Sequence, residues 1–275
     1  MLRLTPGSRP PIPRIPEIMV PPPGNLALVP DRQVLRPPRL DDLDAIGWSE
    51  LAYATGTDSI PVQLAGLARA RDDRDWSERL LELFQAVMPE GACRPDTGPA
   101  LTVLARLAVE DALTAVRRRD IYSLLIDASG QYARDLVCYA GIVAATGRPP
   151  RPYTWSEQAR EAVEGVIPAV LSRWDIEPPA NRFALGALAA AFPSHGQVLA
   201  ERVAAVAADQ AGTKVGSCTQ VAHQLITGDH QAAADNAVLM CLWSGTSPDY
   251  DIGNELLEPA ALALAILADE VVKLL

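Results

Sequence analysis

The stretch Asp75-Trp76-Ser77-Glu78-Arg79-Leu80-Leu81-Glu82-Leu83-Phe84-Gln85-Ala86-Val87 sets the period on which the rest of the chain is read. Leu80, Leu81, Leu83, Phe84 and Val87 recur at helical spacing, so one face is apolar and the other charged. Asp75-x-x-Glu78 before that run has the form of a capping box, and Pro89 and Gly91 end it. The same grammar continues in both directions. Leu101, Leu104, Ala105 and Leu107 form a second stripe. Val116, Ile121, Leu124, Leu125 and Ile126 form a third, with a stop expected near Ser129-Gly130. Thr154-x-x-Glu157 reads as a further cap, and helical segments follow over 179–191, 196–209, 213–226, 229–243 and 254–273. No alternating run of β-branched residues competes, so the sequence predicts an all-α fold.

Three helix starts look alike: Ser59-Ile60-Pro61-Val62-Gln63-Leu64, Thr97-Gly98-Pro99-Ala100-Leu101 and Val166-Ile167-Pro168-Ala169-Val170-Leu171. Each places Pro in a first turn, where its missing N–H costs nothing. Each leads into a Leu-rich helix and then a more Arg-rich one. Pro61 and Pro99 are 38 residues apart, close to the roughly 40-residue period of HEAT and armadillo arrays. A single hairpin cannot bury its own apolar face, so neighbours must stack. The expectation is a right-handed α-solenoid of about five to six helical hairpins over residues 41–275, with a concave groove.

Residues 1–40 are different. Eleven of the 24 prolines fall there, with Arg3, Arg9, Arg14, Arg32, Arg36 and Arg39 among them. Such a segment propagates neither helix nor strand and is expected to be extended. Its apolar residues, Ile12, Ile15, Ile18 and Val20 among them, suit an arm lying on the body or on a partner; a free linker is the other reading.

Composition narrows the function classes. A net charge of −10 with only two lysines, Lys214 and Lys273, argues against a nucleic-acid surface. No apolar run reaches the length of a membrane span, and prolines interrupt every candidate signal segment, so a cytoplasmic protein without membrane contact is expected. Cys93, Cys138, Cys218 and Cys241 are widely spaced and form no zinc pattern. No metal or cofactor is expected.

The order Trp48, Tyr53, Gly56, Asp58, Ile60, Pro61 resembles a group of HEAT-repeat-like proteins common in actinobacteria. Members carry a Trp, a Tyr-Gly segment and an acidic residue before a Val-Pro helix start. A second family signature, Trp-His-Gln-Gly-Thr followed by Ala-Thr-x-Pro-Ala, corresponds here to Met88-Pro89-Glu90-Gly91-Ala92 and Asp96-Thr97-Gly98-Pro99-Ala100. Arg160-Glu161-Ala162-Val163 through Ile167-Pro168 to Ala190-Ala191-Phe192-Pro193 is similar to the family's next repeat. The resemblance spans residues 45–193 and implies a helical-repeat fold, with little bearing on activity. Pro89-Glu90 stands where the family has His-Gln, so no role of that imidazole and amide carries over.

Candidate site residues are scattered. Asp127 follows the apolar Leu124-Leu125-Ile126 and needs a partner if buried; the Arg117-Arg118-Arg119 cluster is the expected one, with a ligand site as the alternative. Arg182 beside Asn181 faces a partner, the core or solvent. His223, near Gln220, is five residues beyond Cys218, a poor spacing for a Cys–His pair on one helix, and is read as packed in an interface. Asp229 and His230 follow it, and His195 is expected to be exposed. Trp243-Ser244-Gly245-Thr246-Ser247-Pro248-Asp249-Tyr250-Asp251 is the most loop-like stretch of the C-terminal half. Trp243, Asp249 and Tyr250 there suit recognition of a peptide or a cationic small molecule; a plain helix connection with Trp243 in the core is the other reading. The leading function is a helical-repeat binding or assembly protein that holds a protein partner, such as a small companion subunit, or a small-molecule ligand in its groove. The alternative is an enzyme, or the larger subunit of a two-chain enzyme, in an actinobacterial specialised-metabolite pathway. A HEAT-like DNA glycosylase is disfavoured by the acidic charge.

Overall fold

Helix α1 (Ile60–Ala68) begins with Pro61 in its first turn, as the sequence predicts. Helix α2 (Asp73–Val87) starts before the expected Asp75 cap. Asp72 is the N-cap, its Oδ1 accepting the Asp75 N–H at 2.8 Å. Asp75 Oδ2 in turn accepts the Arg71 N–H at 3.0 Å, and Oδ1 accepts Arg79 Nε at 2.8 Å. These bonds, the Arg71 N–H first, hold the Asp75 carboxyl at about 2. The capping signal was therefore real but displaced upstream: Asp72-x-x-Asp75 is the pair. After a 3₁₀ turn at Pro89–Gly91, the Thr97 hydroxyl joins α2 to α3 (Thr97–Val109), donating to the Val87 carbonyl at 2.5 Å and accepting the Arg94 N–H at 2.8 Å.

The computed structural model describes residues 60–148, 151–243 and 257–275, and every regular element among them is helical. The arm expected over 1–40, and Trp48, Tyr53, Gly56 and Asp58 of the family resemblance, lie outside the described residues.

Helix α4 (Ala115–Thr146) corrects the sequence reading most sharply: it runs straight through Ser129-Gly130, and at 32 residues is about 48 Å long. Ser129 does not stop it because its hydroxyl donates back to the Leu125 carbonyl, four residues earlier, at 2.7 Å. Gly130 is where another helix comes close. A Cβ at Gly130 would sit 2.4 Å from the Cβ of Ala268. The helix ends at Gly147, whose φ of 66° gives a left-handed cap with its N–H on Val143 O.

Helix α5 (Arg151–Glu164) begins upstream of Thr154, which is inside the first turn rather than the cap. Then come α6 (Ile167–Leu171), a 3₁₀ turn at Ser172–Ile176, and α7 (Pro179–Ala191), whose bounds match the sequence prediction. Short turns at Pro193–Gly196 and Gln197–Leu199 lead to α8 (Ala200–Asp209), α9 (Lys214–Thr227), α10 (His230–Trp243) and α11 (Pro259–Leu274).

Consecutive helices α1–α2, α3–α4, α8–α9 and α10–α11 pack as hairpins. The long α4 is the spine: α2, α3, α5, α7 and α11 all lie against it. Helix α7 is buried nearly all round, from Phe183 to Ala191, as befits a central helix. Helix α11 is buried through Ala261, Leu262, Ala265, Ile266 and Val271, and it packs most heavily on α4, remote in sequence. Repeats that touch only their neighbours would not make that contact. Beyond Val137, α4 loses cover from the other described residues, and its last turns project with Ile142 and Val143 exposed. No helix among the described residues is long and apolar enough to cross a membrane.

Candidate functional site

The projecting end of α4 forms one wall of a hollow of about 460 Å³; α5 and the first turn of α11 form the others. Leu136, Ala140, Val143, Ala144 and Ala261 make its apolar surface. Asp135, Glu157, Glu258 and Tyr153 are its polar groups. The size is that of a small-molecule site, and the mix of apolar walls with a few polar groups is the usual chemistry of one. Two smaller hollows, each of about 230 Å³, lie elsewhere: one over Ser77, Phe84, Asp120 and Leu275, the other over Gly212, Ser217, Gln220 and Leu239.

Asp135 is the most constrained group of the large hollow. It is 5% exposed, and its Oδ1 accepts Gln131 Nε2 at 2.8 Å, a neutral donor. Burial pushes its carboxyl above the ordinary value, against the pull of Ser156, Gln131 and Arg134. Tyr153 stacks at a tilt on Tyr132, with centroids 5.8 Å apart, and the Arg160 guanidinium lies 5.4 Å over the Tyr132 ring. Burial, the Tyr132 hydroxyl and the charges of Glu157 and Glu258 all push the Tyr153 phenol up, so it stays protonated as a donor. Among the described residues, none of Asp135, Glu157 and Glu258 is in an ion pair, although Arg134 lies beside Asp135.

Arg134 is turned to other work. It binds Asp127 Oδ1 at 2.8 Å and Asp269 Oδ1 at 2.5 Å, clamping α4 to α11 beside Gly130. This corrects the sequence expectation for Asp127: its partner is Arg134, two helical turns away, and the Arg117–Arg119 cluster points elsewhere. Arg117 pairs with Asp73 at 2.9 Å and covers the Trp76 ring at 5.2 Å. Arg118 Nε lies 2.6 Å from Glu177 Oε1, at an angle too oblique for a hydrogen bond, so that contact is Coulombic.

Glu177 is the centre of a buried polar knot. Its Oε1 accepts Arg173 Nε at 3.0 Å and the Tyr122 hydroxyl at 3.3 Å, and its Oε2 accepts Asn181 Nδ2 at 2.6 Å. Asn181 Nδ2 also donates to the Ala115 carbonyl, and Arg173 to the Val109 carbonyl at 2.6 Å. The knot ties the start of α4 to α7 and lines none of the three hollows. Arg182 belongs to the same corner: it donates to the carbonyls of Trp174, Asp175 and Glu177, closing the 3₁₀ turn.

Gln220 is exposed and lines the hollow near Gly212. His223 is half-buried, and its backbone carbonyl accepts the Thr227 hydroxyl. His230 is exposed at the start of α10. His195 is half-buried, not exposed, with Nε2 3.6 Å from Glu164 Oε1. Cys218 faces Met240 Sδ at 3.3 Å in the core, where burial pushes its thiol up to about 12. Among the described residues no group of three or more His, Cys, Asp and Glu side chains could hold a metal. Of Asp127, Arg182, Gln220 and His223, only Gln220 lines any of the three hollows, so these four do not meet there. Asp249, Tyr250 and the side chain of Trp243 lie outside the described residues.

Sequence reasoning missed Asp135, Tyr153, Glu157 and Glu258. Asp135 was legible in principle. It stands seven residues after the buried Ala128, two turns along one face, but the expected stop at Ser129-Gly130 removed it from any helix. Comparison with protein-family models, with curated proteins and with solved structures gives no match.

Proposed function

We propose that the chain is a helical binding protein that receives a ligand in the hollow between α4, α5 and α11. One observation carries this reading: a hollow of about 460 Å³ combines an apolar wall with three carboxylates and a protonated phenol, and no ion pair among the described residues neutralises the carboxylates. The HEAT-like resemblance enters the same proposal through Ile60-Pro61, Thr97–Ala100 and Ile167-Pro168. In that reading the first hairpins are stacked repeats, and α11 departs from the repeat pattern by folding back on α4 beside the hollow.

The test is occlusion. Val143 is 37% exposed on the wall, so Val143→Trp should fill the hollow while leaving the core intact. A panel of small apolar ligands screened by thermal shift should stabilise the wild-type chain, and the same ligands should lose their effect on Val143→Trp. Equal stabilisation of both proteins by every ligand found would place binding elsewhere and end this reading.

The enzyme alternative draws on one observation: Asp135, pushed up by burial, shares the hollow with the Tyr153 phenol, an arrangement suited to proton transfer. Conversion of a bound ligand by the wild-type chain and not by Asp135→Asn would favour it; unchanged ligand recovered from the wild type would count against it.

A further inference from the structure

We infer that the hollow selects a cationic amphiphile, a primary or substituted ammonium group carried on a short apolar body. The inference rests on the reading of this hollow as the binding site and names what enters it.

The charge balance is one-sided. Asp135, Glu157 and Glu258 line the space, and no Lys or Arg is among its described lining residues. The bases near it are committed. Arg134 is held by Asp127 and Asp269, and Arg160 is spread over the Tyr132 and Phe192 rings while donating to the Ala191 carbonyl. A carboxylate that is 95% buried normally has a counter-charge or several strong donors, because desolvation is costly. Asp135 is bonded by two neutral donors, the Gln131 amide and the Ser156 hydroxyl, and it opens on the hollow. An ammonium group placed there would supply what the wall lacks.

The position of the acids gives the ligand its orientation. Glu157 is half-buried on α5, and Glu258 is exposed at the entry of α11. Together they bias the mouth toward cations, and the Tyr153 side chain adds an aromatic surface to the same lining. The body of the ligand then lies on Ala140, Val143 and Ala144, where α4 has no other cover among the described residues. An anion of the same length would meet three like charges and no positive partner.

The experiment is calorimetric titration of the full chain with three probes of one length: n-octylamine, n-octanoate and n-octanol. The variants are Glu157→Gln/Glu258→Gln and Val143→Trp. The glutamates are surface or half-buried positions, so the double variant keeps the fold, verified by its unfolding midpoint. The inference expects octylamine to bind at least about tenfold more tightly than either other probe, the size of a charge-assisted contact. It also expects the double variant, which keeps Asp135, to weaken that preference and Val143→Trp to lose binding; a preference undiminished in the double variant would overturn the role given to the mouth. If all three probes bind alike and Val143→Trp blocks them, the hollow is the site but selection by charge is wrong. If no probe binds, or Val143→Trp binds as well as wild type, the hollow itself is not the site and the reading beneath the inference fails.

Discussion

The contact between Gly130 and Ala268 offers a sharp test of the fold, because the hollow exists only where α11 lies on α4. Replacing Gly130 with Ala places a methyl 2.4 Å from the Ala268 Cβ, against an ordinary carbon–carbon contact of about 3.5–4.0 Å. The helices must separate by more than about an ångström, or the side chains must deform. Arg134 Nη1, 3.2 Å from the added atom, can yield, but then its clamp on Asp127 and Asp269 loosens. Overpacking of this kind costs about 1–3 kcal/mol. Ala is the better helix former by about 0.5–1 kcal/mol, which offsets part of the loss. The net is a loss of up to about 2.5 kcal/mol, or a fall in melting temperature of up to about 10 °C for a protein of this size. Ala268→Gly in the same chain removes the obstructing methyl and should rescue the variant. Urea unfolding of wild type, both single variants and the double variant gives the coupling energy, expected to be at least about 1 kcal/mol and favourable. Additive single effects, or a Gly130→Ala protein more stable than wild type, would mean that these helices do not meet here.

Glu177→Leu leaves Arg118 and Arg173 buried without their common carboxylate, and unfolding should show a loss of about 3–5 kcal/mol; a loss below about 1 kcal/mol would contradict the knot. Glu270, 1% exposed, receives both of the chain's lysines, Lys214 and Lys273. Burial pushes its carboxyl up, but the two lysines outweigh that and hold it below the ordinary 4.5. A lowered folded value stabilises above the unfolded one, so this contribution is full near neutrality and lost as pH falls below 4.5. The stability gap between wild type and Glu270→Gln should therefore shrink as the solution is acidified; a constant gap from pH 7 to pH 3 would refute the pairing. Of the four thiols only Cys138 is exposed, while burial pushes Cys93 and Cys218 up to about 12. A water-soluble thiol reagent should modify one cysteine rapidly in the native protein and all four in denaturant; fast native modification of two or more would contradict the burial.

How far the sequence could be read depended on whether the signal was local. Pro61, Pro99 and Pro168 mark first turns, and Pro179–Ala191 is bounded as expected, because turn chemistry and apolar period are written within a few residues. Ser129-Gly130 misled because those two residues have opposite meanings in different surroundings. They end a helix that faces water, yet they permit close packing where a second helix arrives, and Ala268 is far along the chain. The same distance hid the site. Asp127 could be flagged as a carboxylate in need of a partner, but Arg134 was available only on a helix that continued, and Asp269 only once α11 returned to α4. Glu157 and Glu258 look like ordinary charged residues at a helix start and gain meaning only from the hollow between them. Arg182 could be narrowed no further than partner, core or solvent, since the carbonyls it closes belong to a turn without a sequence signature.

Hydrogen–deuterium exchange of the full chain, with and without saturating n-octylamine, tests the central claim most directly because it reports where a ligand sits without presupposing the site. Slowed exchange concentrated in residues 135–144, 153–157 and 258–262 is the expected result. Protection centred instead on residues 207–220 or 77–84, or no change at any peptide, would contradict the assignment of the hollow between α4, α5 and α11.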